Sequence, residues 1–200
     1  MQHMFRFALS VIALGALAAG GLWPVTARAQ SIAGQARVVQ ASVRSLFGVN
    51  TTVLSDTGTL SSTNDAREAS QGAGSAGALL AGNTLHASTI GWPDQVVSEA
   101  SIADLAISVA GVRIGADFVM SRAFDTAGGT GGGVDIDGLA INGMPVDVTG
   151  SPNQMVWIPG GRLVINEQQT SASGTVVNAL HLVVEGVADV VVASATAGIQ

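Results

Sequence analysis

Beyond residue 30 the chain holds two histidines, His86 and His181, the residues best suited to proton transfer near neutral pH. His181 lies in "LVINEQQTSASGTVVNALHLVV", residues 163–184, which also carries Glu167. A carboxylate and an imidazole are the parts of a general acid–base pair, and either histidine with Glu167 or an aspartate would serve a hydrolase. A second chemistry is suggested by "TGGGVDIDG", residues 130–138, one residue away from the calcium-binding nonapeptide, with Asp135 and Asp137 as oxygen ligands. That site needs stacked copies, because each ion sits between successive turns, and the chain has one copy. No cofactor is expected, and calcium on Asp135 and Asp137 is the one incomplete candidate. "GAGSAG", residues 72–77, spells the dinucleotide fingerprint, but polar loop residues precede it where a strand should end, so it reads as a chance match.

Composition closes off other chemistries. The chain has no lysine and no cysteine, which excludes Schiff bases, thiolate nucleophiles, disulfides and Cys-ligated zinc. Of eight arginines two lie in the first 29 residues, leaving six against fourteen acidic residues. An acidic chain without a basic patch is a poor ligand for nucleic acid or anionic membrane surfaces. Trp92 and Trp157 are the only tryptophans after the leader and tyrosine is absent, so stacking platforms for sugars or bases are scarce.

The elements that position these residues begin after a leader. Residues 1–29 carry Arg6 and no acid, then an apolar run, then Ala27-Arg28-Ala29, the small-x-small form of a signal peptidase site. Cleavage there leaves a single domain at residues 30–200. From Gln35 onward, segments rich in Val, Ile, Ala and Thr break at Gly, Asn, Asp and Ser about every ten residues, the rhythm of an all-β domain. A Gly/Ser-rich stretch at about 61–77 reads as a long loop with a short helix near Asn64–Ser70. A hairpin is expected with Val109 facing Val112, which sets Asp104 opposite Asp117. Like charges so placed imply a wrong register, a nearby arginine such as Arg113 or Arg122, or a bound cation. Residues 176–184 are apolar on both alternating faces, as in a strand covered on both sides. A β-sandwich provides that environment, with a β-solenoid as the alternative fold.

The segments "GLAINGMPVDV", "SPNQMVWIPG", "LVINEQQ", "VVNALHLVV" and "ADVVVASATAG" together resemble the choice-of-anchor P proteins, exported bacterial proteins held by different C-terminal signals in different relatives. The resemblance rests most on Asn166, Glu167 and Gln168 and on Asn178 and His181. It implies export and a β-rich surface or extracellular domain, and it brings no established reaction with it. After Gly198 only Ile199 and Gln200 remain, so release without a membrane anchor is expected. The expected function is that of a non-enzymatic structural or interaction protein of the bacterial envelope or matrix. Its partners would be other copies of itself or other surface components. A glycan- or metal-binding module is the alternative, and a hydrolase the third class. On this reading His181 is buried and structural, Glu167 lies opposite Val177, and the two do not touch.

Overall fold

The computed structural model describes residues 31–199; the leader expected at 1–29 lies outside them. The described residues form thirteen strands and no helix. In chain order they are β1 (Ile32–Ser45), β2 (Gly48–Asp56), β3 (Ala66–Ala76), β4 (Leu80–Trp92), β5 (Gln95–Val109), β6 (Val112–Thr126), β7 (Gly129–Asp137), β8 (Ala140–Ile141), β9 (Met144–Pro145), β10 (Gln154–Ile158), β11 (Gly161–Ser171), β12 (Gly174–Val184) and β13 (Ala188–Ile199). Two antiparallel sheets pack face to face as a β-sandwich rather than a solenoid. One has the order β10-β11-β12-β13-β1-β2, the other β3-β4-β5-β6-β8-β9 with β7 also on β6. The chain builds two strands of the first sheet, crosses to make all of the second, and returns. β13 then pairs with β1 from Ile32↔Ile199 to Val43↔Ala188, tying the two ends of the domain together.

Side chains of both inner faces fill the core, among them Val38, Val39, Leu85, Ile102, Ile107, Ile114, Leu163, Ile165, Leu180 and Val192. Burying such side chains is the main favourable term available to a chain without disulfides. Three hairpins close on the same turn: Ser45-Leu46-Phe47-Gly48, Thr126-Ala127-Gly128-Gly129 and Ser171-Ala172-Ser173-Gly174. In each, the first hydroxyl accepts from the backbone N–H two residues on and donates to the glycine carbonyl. The glycines have φ of 126°, 139° and 121°, which other residues rarely adopt.

A crease crosses both sheets. In β1, β11, β12 and β13 the alternation of inward and outward side chains slips at one row, so that two consecutive residues point inward: Val38 and Val39, Ile165 and Asn166, Ala179 and Leu180, Val192 and Ala193. The ladder keeps its register across the row, with Arg37↔Ser194 on one side and Val39↔Val192 on the other, so no residue is inserted. The slip comes from backbone rotation. Asn166, Ala193 and Ser55 have φ of 54°, 50° and 46°, and Asn153, next to β10, has 59°. A residue in this left-handed region breaks the two-residue period of a strand. The second sheet is creased at Thr84, Asp104 and Gly138, with φ of 48°, 49° and 65°. There the doubled residues face outward, and the inward phase passes from Ile102 to Leu105 and from Ala116 to Val119.

Several sequence expectations are corrected here. Residues 66–76 are strand β3 and not a loop with a helix near Asn64–Ser70. Small Ala, Ser and Gly side chains conceal its alternation, and pairing with β4 supplies what propensity does not. The hairpin register at Val109↔Val112 is as expected, and Asp104 and Asp117 fall at the same row. The register is therefore not in error. The crease turns Asp104 to accept from Asn83 Nδ2 at 3.1 Å, while Asp117 lies against Gly138.

Candidate functional site

The crease in the first sheet gathers the five residues that carry the family resemblance and sorts them to two sides of it. Asn166 and Gln168 form one group. Asn166 is 2% exposed; its Nδ2 donates to Gly150 O at 2.9 Å and its Oδ1 accepts from Gln168 Nε2 at 2.8 Å. Gln168 Nε2 also donates to Gly132 O of β7, on the opposite sheet, at 3.3 Å. Asn153 completes the set: its N–H donates to Asn166 O, and its Oδ1 accepts from Gln168 N at 3.0 Å. These amides satisfy backbone groups that the left-handed turn takes out of the ladder, and they pin the 146–153 segment and β7 to β11. Asparagine suits this position because its short polar side chain tolerates positive φ.

The second group lies on the outer face. Glu167 pairs with Asn178 across the ladder and accepts from its Nδ2 at 2.6 Å. Both Glu167 oxygens lie 3.0 Å from His181 Nδ1, and His181 Nε2 lies 3.2 Å from Asp189 Oδ1. The expectation that Glu167 and His181 stay apart, with Glu167 opposite Val177, is therefore overturned. Gln168 is the residue that faces Val177, and the crease closes the remaining distance. His181 is not fully buried either: its side chain is 21% exposed and that of Glu167 17%. Val176, His181 and Val183 are only half-buried, so the outer face of β12 is not covered by a second layer.

Burial alone pushes the Glu167 carboxyl up. Hydrogen bonds from Asn178 and His181, with the charges of His181 and Arg162, outweigh it and hold Glu167 below the usual carboxylate range. The same row of the outer face runs on through Ser194 to Arg37 and Asp56. Asp56 accepts from Gln35 Nε2 at 2.8 Å and pairs with Arg37 at 2.8 Å. Burial raises its pKa, but these bonds, that from Gly58 N–H and the Arg37 charge leave it lowered. Arg37 also donates to Gln40, across the crease.

Chemically this row is a polar belt whose charged groups bond to one another, while the buried Asn178 Oδ1 is left without a hydrogen-bond partner. With a carboxylate at each ring nitrogen, His181 has no free nitrogen for a substrate proton, as a general base requires. His86 sits in a different cluster on β3 and β4. Its Nδ1 is 3.0 Å from Ser70 Oγ and 3.6 Å from Glu68 Oε1, and Ser70 Oγ donates to Glu68 at 2.8 Å. Serine, histidine and glutamate are the members of a hydrolytic triad. Here serine and carboxylate share one ring nitrogen, whereas the triad needs them on opposite nitrogens. Asp135 and Asp137 are exposed on β7 opposite Met120 and Phe118, and among the described residues no cluster of three His, Asp or Glu side chains could hold a metal. An apolar concavity of about 620 Å³ is lined by small residues such as Ala81, Ala106, Gly115 and Ala140 with Arg113, and by no acid or histidine.

Sequence reasoning missed Asp189, Arg37, Asp56, Glu68 and Ser70. Asp189 was within reach, since the short 185–187 turn forces β13 back along β12 and sets Asp189 opposite Val183, two residues from His181. Set against family models, curated proteins and solved structures, the chain matches none of them.

Proposed function

We propose that the chain is an exported, non-enzymatic structural or interaction protein of the bacterial envelope or extracellular matrix, of the choice-of-anchor P type. The observation that carries this reading is that the titratable motif residues are bonded to one another. Glu167, Asn178, His181 and Asp189 bond to one another, and Asn166 and Gln168 bond to backbone carbonyls, so these motif residues support the crease and present no reacting group. Export is supported by the leader and its Ala27-Arg28-Ala29 site. The test is fractionation of a bacterial host expressing the full chain, with mass spectrometry of the product. The chain should be found outside the cytoplasmic membrane and begin at Gln30. An intact leader in the cytoplasm, or hydrolysis of ester, peptide or glycosidic substrates that is lost in His181→Ala, would overturn the proposal.

One observation favours a second reading as a glycan-binding module. Trp157 is 76% exposed on the outer face of β10, beside the half-exposed Met155. An exposed indole is a stacking surface for a sugar ring. Retention on a glycan array that Trp157→Ala abolishes would establish this reading.

A further inference from the structure

Sheets that end in exposed strands normally guard them with charge, proline or brevity. Apart from the edge at β2, those at β10, β9, β3 and β7 are guarded in that way, β7 by Asp135 and Asp137. β10 is five residues long and runs into Pro159, β9 is two residues long and contains Pro145, and β3 carries Arg67 and Glu68. The edge at β2 carries its one charge, Asp56, at its last residue. From Gly48 to Ser55 it reads GVNTTVLS, without a charge or a proline.

The backbone groups that this edge leaves free follow from the β1–β2 hairpin. Arg44 N–H donates to Val187 O, on the side of β1 away from β2, so Arg44 and Val49 form a pair that exchanges no hydrogen bonds. By alternation the N–H and C=O groups of Val49, Thr51 and Val53 point away from β1. Their side chains lie on the outer face and are exposed. At the tip of the same hairpin Leu46 and Phe47 are 100% exposed.

We propose that this edge is a self-pairing interface, on which β2 of a second copy adds antiparallel about a two-fold axis at Thr51. The inference rests on the structural and interaction role proposed above and names the partner. The three outward-bonding residues are symmetric about Thr51. Val49 of each copy faces Val53 of the other and Thr51 faces Thr51, so the bonding phases match and roughly six backbone hydrogen bonds form. Facing β-branched side chains are favourable cross-strand pairs. Phe47 comes beside Ser55 of the other copy and loses part of its exposure. Charge points to the same place. The chain is acidic overall, so two copies repel. Two β2 edges meet without opposing like charges, since residues 48–55 carry none and Asp56 at the end is already paired with Arg37.

The purified chain should sediment as a dimer at micromolar concentrations. Thr51→Lys, which sets two ammonium groups opposite each other on the axis, should weaken association by at least about tenfold and leave the far-UV spectrum unchanged. Thr51→Cys should give a disulfide-linked dimer on mild oxidation, because a symmetric pair has Cα atoms within disulfide range and the chain has no other cysteine. A chain that stays monomeric, or a dimer that Thr51→Lys leaves intact and Thr51→Cys does not cross-link, overturns the proposal. These outcomes are separable from the functional reading. A monomer exported without activity removes only the pairing, while a Thr51→Lys monomer that still turns over a substrate removes the functional reading.

Discussion

Glu167 and His181 meet at 3.0 Å although the ladder sets Val164, three residues along the strand from the glutamate, opposite the histidine. Three residues of flat strand span about 10 Å. The contact exists because Ile165 and Asn166 both turn inward between them, and Ala179 and Leu180 do the same on the facing strand. Arg37 and Gln40 bond across the crease in the same way, around Val38 and Val39. The outer polar belt is thus a clasp over the line where the sheet changes phase.

A clasp predicts energetic coupling. His181→Ala should lower stability by about 1–2 kcal/mol, through lost packing and a half-buried carboxylate left with one partner fewer. Glu167→Ala should cost a similar amount, and the double variant less than their sum by about 0.5–1 kcal/mol. Urea unfolding of the four proteins measures this. Strictly additive costs would mean that the contact contributes nothing.

The pH dependence has a definite sign. A carboxylate held below its unfolded value stabilises the fold fully above that value and loses the contribution as pH falls through the folded one. Glu167 is lowered from 4.5 and Asp56 from 3.8, so stability should start to fall near pH 4.5 and continue downward. Asp65, bonded by Ser61 and Arg67, is lowered to about 2 and stays ionised through most of that range. Glu167→Gln should remove the first part of the acid limb. Thermal unfolding between pH 6 and 3, in steps, tests this; an acid limb unchanged by Glu167→Gln would exclude the carboxylate as its source.

Asn166 combines a φ of 54° with two side-chain hydrogen bonds in a buried place. Asn166→Gly keeps the backbone free and loses the bonds, a cost of about 1–2 kcal/mol. Asn166→Val adds a β-branched side chain in the left-handed region, for about 3 kcal/mol or more in total. Equal losses in the two variants would show that the amide bonds, and not the backbone conformation, define the crease there.

What could be read from the sequence followed from period. The hairpin at Val109↔Val112 alternates cleanly over Leu105–Val109 and Val112–Ala116 and closes on a short turn. β3 was hidden because Ser70, Gly72, Gly74 and Ser75 carry no apolar contrast. The crease was hidden for a different reason. Ala193, Thr84 and Ser55 have no compositional mark of positive φ, and only the packing of two sheets holds them there. Once an uncreased strand is assumed, Glu167 and His181 must be placed apart. The motif residues could thus be picked out by type while their contact could not.

The repeated Ser/Thr-x-x-Gly turns allow backbone strain to be separated from crowding. Gly48, Gly129 and Gly174 all have φ between 121° and 139°, so alanine at any of them is strained by about 1–2 kcal/mol. Their surroundings differ. A Cβ at Gly48 or Gly129 meets nothing within 4 Å, whereas one at Gly174 runs into Ala197 O and the Gly198 Cα of the neighbouring strand. Those atoms belong to β13, which is held between β12 and β1 and has no room to retreat. Gly174→Ala should therefore cost about 4 kcal/mol or more, against about 1–2 kcal/mol for Gly48→Ala or Gly129→Ala. Chemical denaturation of the three variants gives the comparison directly. Similar losses at all three positions would mean that β13 can shift away from the turn, and that its pairing with β12 near Ala197 is looser than its burial implies.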